Sequence, residues 1–310
     1  MLYMSRDRNI RLIYWHTNID NYGDLLSPFL IQELSGKTIV HKNYFCGNWR
    51  SHVFYTLYSL IHGDFLFKVP YLFPFEPNII GIGSILYTGN YRSKIWGAGF
   101  MSDGEKCKGG TIYAVRGKYS LEKLLRQKSD GIPIKIRKNV VLGDPALLLP
   151  WIVPKSTSKK YKIGIIPHFS EYAFFNERYS TEYKVVNLQT SDIRYVTSEI
   201  TSCEYILSTS LHGIIVAHAY DIPALWMEYT GLESYTKGFK FKDYFSSVNI
   251  PEYTPLKDIE SILASENSII QLFSDMFFYA KPHIDLNRLR QDLVKVAPFP
   301  VKEKYKNYPL

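Results

Sequence analysis

The chain has few cysteines and no pattern that would use them. Cys46, Cys107 and Cys203 are the three thiols among 310 residues, an odd number with no CxxC pair and no Cys/His spacing. That excludes a disulfide framework and a zinc site and fits a cytoplasmic protein. No cluster of His, Cys, Asp and Glu has metal-ligand spacing, so no metal is expected. No run reaches the roughly 18 uncharged apolar residues of a spanning helix, and Met1 to Arg11 carries charges with no signal-peptide core. The dinucleotide fingerprint GxGxxG is missing, because positions 81, 83 and 86 read Gly, Gly and Leu. Zinc-finger, RNP and basic-zipper patterns are absent as well, which argues against nucleic acid as a partner.

What is present is bulk and hydrophobicity. With 46% hydrophobic residues over 310 positions, the chain can bury real cores and exceeds the usual single-domain size, so two domains are expected. An aromatic stretch over residues 52–75 is interrupted by Gly63, Asp64, Lys68 and Pro70. It reads as buried core or, alternatively, as a surface resting on a membrane interface. The net charge of +8 is uneven: residues 101–160 hold 13 Lys/Arg against 5 Asp/Glu. Lys106, Lys108, Lys118, Lys123, Arg126, Lys128, Lys135, Arg137 and Lys138 gather around one expected helix. They form either a solvated basic face or one turned toward anionic lipid or a pyrophosphate-bearing substrate.

Short apolar strands alternate with amphipathic helices from end to end, the pattern of an α/β fold. In the first half, strands are expected at Ile10–Trp15, Thr38–His41, Asn78–Ile82, Lys94–Trp96, Thr111–Val115 and Asn139–Leu142, with helices at Asp24–Leu34 and Tyr119–Lys128. Residues 151–160, polar, basic and flanked by Pro150, read as a linker. A second α/β unit then runs over 161–310, with strands at Tyr161–Ile166, Lys184–Leu188, Tyr205–Leu207 and Ala224–Met227, and C-terminal helices at Pro255–Phe278 and Ile284–Val296. The expected architecture is an N-terminal α/β domain over 1–150 and a C-terminal one over 161–310, two Rossmann-like domains facing a cleft at the carboxyl ends of their strands.

Ser208-Thr209-Ser210-Leu211-His212-Gly213 stands at a strand-to-helix junction, where unpaired N–H groups and the helix dipole favour an anion. His212 in the first helical turn can add charge or move a proton; Ser and Thr there also serve as ordinary caps. Asn21-Tyr22-Gly23-Asp24 lies between the first strand and first helix, so Asp24 fits either an N-cap or a catalytic carboxylate. Gly81-Ile82-Gly83-Ser84 follows a strand and suits close approach of backbone to an anion. Arg116 ends another strand, Asp144 closes the last strand of the first half, and His168 follows the first strand of the second. Lys240 and Lys242 alternate with aromatics in Phe239-Lys240-Phe241-Lys242, which as a strand places both on one face.

Taken in order, these motifs resemble the polysaccharide pyruvyl transferase family: Asn21–Pro28, Gly81–Leu86, Trp96–Gly99, Val115–Ser120, Gly143–Ala146, Ile163–His168 and Ser208–Ala224. The resemblance implies a fold similar to the B-type glycosyltransferases. It implies phosphoenolpyruvate as donor substrate with no other cofactor, and a sugar hydroxyl pair, on a lipid-linked saccharide, as acceptor. The product is a pyruvate ketal, made in the cytoplasm or at the inner face of the plasma membrane during bacterial capsule or exopolysaccharide synthesis. On that basis His212, Asp24 and Asp144 are the candidate catalytic residues. Arg116, Ser210, Leu211, Gly213, Lys240, Lys242 and His168 are candidates for the donor, and Asn21, Gly83 and Ser84 for the acceptor or an anion loop. One departure stands out: the family's Arg-Leu-His is here Ser210-Leu211-His212. Either Arg116, Lys240 or Lys242 supplies the charge, or the donor differs. A B-type glycosyltransferase using a nucleotide sugar and a non-catalytic saccharide-binding protein are the alternative readings.

Overall fold

A computed structural model describes residues 9–16, 19–42, 76–229 and 236–308, with Val53 and Leu57. Cys46 and nearly all of the aromatic stretch at 52–75 lie outside the described residues. The protein is an α/β structure with two parallel sheets. The first has strands β1 (Asn9–Ile13), β2 (Thr38–His41), β3 (Asn78–Ile80), β4 (Ser93–Trp96), β5 (Gly110–Val115) and β6 (Ile134–Leu142), in the order β2-β1-β3-β4-β5-β6. The second has β7 (Tyr161–Ile166), β8 (Lys184–Val185), β9 (Cys203–Ser208) and β10 (Ala224–Trp226), ordered β10-β9-β7-β8. Central strands such as Ile163-Gly164-Ile165-Ile166 are apolar without alternation because helices cover both of their faces.

The helices are set by local chemistry. Helix α1 (Tyr22–Ser35) is capped by Asn21, whose side chain accepts from the Gly23 N–H, and it ends where Gly36 adopts φ +68°. Asp24 therefore sits in the first turn and is not the N-cap. Pro28 lies inside α1, so its missing N–H leaves the Asp24 carbonyl without its helical donor. Helix α2 (Lys118–Ser129) follows β5, and α3 (Tyr172–Tyr179) and α4 (Ile193–Thr201) flank the second sheet. Helix α5 (Leu211–Ala219) follows β9, and α6 (Phe239–Ser247) follows β10. Residues 239–245, expected as a strand, are helical. The tail forms α7 (Ile259–Ile262), α8 (Glu266–Asp275), α9 (Leu286–Lys295) and α10 (Glu303–Lys306).

The two sheets share a core. Leu26, Leu30 and Ile31 of α1 bury themselves in one cluster with Ile193, Val196 and Ile200 of α4 and Ile214 and Ile215 of α5. Just before the segment expected as a linker, Ala146 to Leu149 are buried in a 3₁₀ helix over Pro145–Trp151; within that segment the Tyr220 hydroxyl donates to the Val153 carbonyl at 2.6 Å, and residues 154–160 are mostly exposed. The tail returns to the first sheet, where Trp96 donates through Nε1 to the Leu293 carbonyl at 2.9 Å and the Lys302 N–H reaches the Leu34 carbonyl at 2.8 Å.

Arg290 ties the halves directly, since its buried guanidinium donates to the Leu147 carbonyl at 2.8 Å and the Ala219 carbonyl at 2.6 Å. Arg290→Ala is expected to lower unfolding free energy by about 2–4 kcal/mol, because both carbonyls lose a charged donor. Arg290→Lys should recover only part of the loss, an ammonium lacking the planar fork. Urea denaturation measures both.

Candidate active site

Each sheet has one point where its strand order reverses, and ligands in doubly wound folds bind at that crevice. In the first sheet it lies between β1 and β3, so the loops carrying Asn21, Asp24, Gly83 and Ser84 flank it. In the second it lies between β7 and β9, flanked by the loops carrying His168 and Ser210-Leu211-His212. A cleft of about 290 Å³ is lined from both, by Trp15, Asn21, Asp24, Ser84 and Ile85 on one side and His168, Phe169, Ser210, Leu211 and His212 on the other, with Lys240 from α6.

The start of α5 is built for this position. Ser208 Oγ donates to the Ile166 carbonyl at 2.8 Å and accepts from the Ser210 N–H at 3.0 Å, fixing the turn from β9 into α5. Thr209 Oγ1 accepts from the His168 N–H at 2.7 Å and donates to buried Glu171, joining this turn to the loop after β7. Ser210 occupies the N-cap position but makes no capping hydrogen bond with its side chain, so its hydroxyl faces the cleft uncommitted to the helix. Gly213 serves packing: an added Cβ would stand 2.4 Å from Ser208 Oγ and 2.9 Å from Ile166 Cγ2.

The starts of α1 and α5 meet. A Cβ on Gly23 would lie 2.3 Å from His212 Nδ1, so glycine is required there for the imidazole to occupy its place. His212 Nε2 is enclosed and has no hydrogen-bond partner. Burial, and then the positive charges of Arg116 and Lys240, push its pKa down to about 3. Asp24 receives a hydrogen bond from Asn21 Nδ2 at 2.8 Å. Burial of its carboxyl outweighs that bond and the attraction of Lys240, and raises its pKa to about 7. The ordinary order of the two groups is thereby reversed: burial favours the uncharged imidazole and the protonated carboxyl. Gly83, at φ +119°, brings a backbone without side chain to the Asp24 carboxylate.

Several expected residues stand elsewhere. Arg116 is fully buried behind the cleft. Its Nε pairs with Asp243 Oδ2 at 3.1 Å, Nη1 donates to Ser84 Oγ at 2.6 Å, and Nη2 donates to the Phe100 carbonyl at 2.5 Å. It touches the cleft only through Ser84. Asp144, expected as a base, is fully buried and does not line the cleft; Oδ1 caps the Pro145–Trp151 turn through the Ala146 N–H at 2.9 Å, and Oδ2 has no partner. Burial raises its pKa to about 6. Lys242 does not share a face with Lys240, because residues two apart on a helix point in nearly opposite directions. It pairs with Glu252 at 3.5 Å, away from the cleft. Of the three cations considered for the missing arginine, Lys240 alone lines the cleft.

Trp15, Tyr87, Met101, Glu105 and Phe169 also line the cleft without a sequence motif to mark them. Glu105 accepts from the Met101 N–H at 2.7 Å, and burial raises its pKa. Asp243 was invisible for the same reason: only the fold brings it against Arg116 and the start of α2.

Residues 105–231 match the family model described as polysaccharide pyruvyl transferase, so this segment carries that family's domain. Arg116, Asp144, His168, Ser210 and His212 fall within it, and Asp24, Ser84 and Lys240 outside. An uncharacterized protein, L143, of Acanthamoeba polyphaga mimivirus is 32% identical over 183 residues, 57% of this chain and 62% of that protein. The chain thus spans less than two thirds of this relative's length. No solved structure matches the chain.

Asp243 has both carboxylate oxygens filled, by Arg116 and by the Ser120 N–H at 2.9 Å and hydroxyl at 2.6 Å. Asp243→Asn is expected to cost about 3–5 kcal/mol by stranding the Arg116 charge in the interior. The double variant Arg116→Met/Asp243→Leu should regain much of that. Urea midpoints compare the three proteins; an Asp243→Asn protein as stable as the wild type would contradict the pairing.

Proposed function

We propose, proceeding from the pyruvyl transferase family domain at residues 105–231, that this chain transfers the pyruvyl group of phosphoenolpyruvate to two hydroxyls of a saccharide, forming a ketal. The observation that carries the reading is the cleft where the start of α5 and Lys240 meet two groups of reversed proton affinity, Asp24 and His212. The donor's carboxylate and phosphate suit the first-turn N–H groups of α5 and the Lys240 ammonium. Ser84, Ser210 and His168 add polar contacts. Arg116 acts from behind as a positioning residue, fixing Ser84.

The chemistry divides between the two titrating groups. Protonated Asp24, oriented by Asn21, gives its proton to the methylene carbon of the enol, which becomes the methyl group and leaves a cation at the neighbouring carbon. A sugar hydroxyl adds there while the His212 imidazole takes its proton, which returns to Asp24 by way of the cleft. The second hydroxyl then displaces phosphate, and its proton leaves with that phosphate. One donor and one diol thus give one ketal and one phosphate. A preorganised cationic surface matters most as phosphate departs. The aromatic wall of Trp15, Tyr87 and Phe169 suits the apolar face of a sugar ring.

A lipid-linked acceptor is consistent with the exposed Lys106, Lys108, Lys118, Arg126, Lys128, Lys135, Arg137 and Lys138, a face suited to anionic lipid at ordinary salt. Among the described residues no helix is long and apolar enough to cross a membrane.

Phosphate release from phosphoenolpyruvate, measured with an aryl galactoside or lipid-linked saccharide, tests the reading; turnover with a nucleotide sugar alone would sink it. His212→Ala should lower kcat by about 10²–10⁴ with an unchanged Tm. Lys240→Met should raise the donor KM by about tenfold or more. The pH profile gives an independent check. With Asp24 needed protonated and His212 neutral, kcat/KM should fall as pH rises through about 7 and hold well below pH 6. A profile that instead rises through pH 6.5 would reject these assignments.

A further inference from the structure

The two sides of the cleft differ in chemistry. The second α/β unit presents the start of α5 and Lys240, whereas the first presents Trp15, Tyr87, Met101 and Glu105 beside Asp24 and Ser84. Trp15 is 47% exposed and Met101 36%, so this side offers large apolar surface that a bound ring can cover.

Glu105 reaches that surface on a loop held down by two buried side chains of α2. Lys123 donates through Nζ to the Ser102 carbonyl at 2.8 Å and to the Asp103 carbonyl, and lies over the Phe100 ring at 4.4 Å. Gln127 donates through Nε2 to the Glu105 carbonyl at 3.1 Å and accepts from the Cys107 N–H at 2.9 Å. Buried polar groups satisfied by a loop's backbone fix its course. The loop in turn fixes the half-buried carboxylate, whose Oε2 accepts from the Met101 N–H at 2.7 Å. Glu105 makes no ion pair among the described residues: Lys123 pairs with Asp103 at 3.9 Å and Arg116 with Asp243, and both act on Glu105 only from a distance. A carboxylate has about four acceptor sites, so Glu105 retains capacity toward the cleft it lines.

We infer that Glu105 is a specificity-determining residue that selects an uncharged sugar as acceptor. The sugar ring covers Trp15 and Tyr87, a ring hydroxyl donates to the Glu105 carboxylate, and a uronic acid in the same place is refused. The inference rests on the acceptor being a saccharide, as proposed above. The donor's carboxylate and phosphate already outnumber the one lysine that lines the cleft among the described residues. A further anion on the acceptor would therefore meet Glu105 at close quarters, where like charges are strongly unfavourable. Glu105 binds and discriminates; it is neither the acid nor the base of the reaction.

Calorimetric titration of the Lys240→Met protein tests this, because the cleft's lysine can then no longer attract an acid. The ligands are the methyl glycosides of glucose, galactose and mannose and the corresponding methyl uronides, at pH 8, well above the ordinary carboxyl range. At least one neutral hexoside should bind, and at least about tenfold more tightly than its uronide. Adding Glu105→Gln should shrink that ratio at least about fivefold, a change that a merely structural glutamate would not produce. Trp15→Ala, at an exposed position, should weaken the hexoside about threefold or more. If Glu105→Gln does not fold, the ratio with Glu105 intact and the Trp15→Ala result decide. No hexoside binding, a uronide bound as tightly as its hexoside, a ratio unmoved by Glu105→Gln, or indifference to Trp15→Ala would each overturn the inference. No donor is present in these titrations, so their outcome is separate from phosphate release by phosphoenolpyruvate.

Discussion

Asp243 is a buried carboxylate contributed by the helix after the second sheet, and its acceptor sites are filled from the first. Arg116 at the end of β5 and Ser120 in the first turn of α2 hold it. Burying such a group is expensive unless it is paired and fully hydrogen-bonded, and here the pairing is possible only when the two α/β units stand in one orientation. The same orientation brings the two strand-order reversals face to face and so creates the cleft. Arg116, paired with Asp243, also fixes Ser84 through Nη1.

A second constraint is set by closeness. The starts of α1 and α5 approach so nearly that Gly23 has no room for a side chain beside His212. Packing two helix starts together places a carboxyl and an imidazole in surroundings poor in water, next to Lys240 and near Arg116. Desolvation then acts in opposite directions on the two groups, raising Asp24 and lowering His212. A pair with pKa values pushed apart in this way has distinct acid and base members, and the distinction arises from the fold rather than from any special residue type.

Much of the fold was legible in the sequence. Alternating apolar runs gave both parallel sheets, and Tyr161–Ile166 and Thr38–His41 match their strands residue for residue. The glycine and hydroxyl motifs at Asn21–Asp24, Gly83-Ser84 and Ser208–Gly213 lie where the cleft forms, because loops at strand ends carry those residue types for backbone reasons. Residues 239–245 misled by alternation: Phe-Lys-Phe-Lys is two-fold in pattern, but the segment packs Phe241 and Phe245 on Trp226 as a helix, and tertiary contact outweighs local preference. The fate of Arg116 and Asp144 was not legible either. A charge at a strand end looks the same whether it meets a ligand or an internal partner, and Asp243 lies over a hundred positions further along the chain.

The family model matches residues 105–231, whereas two of the groups that line the cleft, Asp24 and Lys240, come from either side of that segment. The claim on which the account turns is that an anionic donor enters this cleft and changes the proton affinity of its imidazole. Nitrogen-15 NMR of the His212 ring, with and without phosphoenolpyruvate, measures that most directly. In the empty protein the ring should stay neutral to well below pH 5, and donor binding, by reversing the local field, should raise its pKa. A ring that titrates near 6.5 in the empty protein, or one indifferent to the donor, would contradict the account.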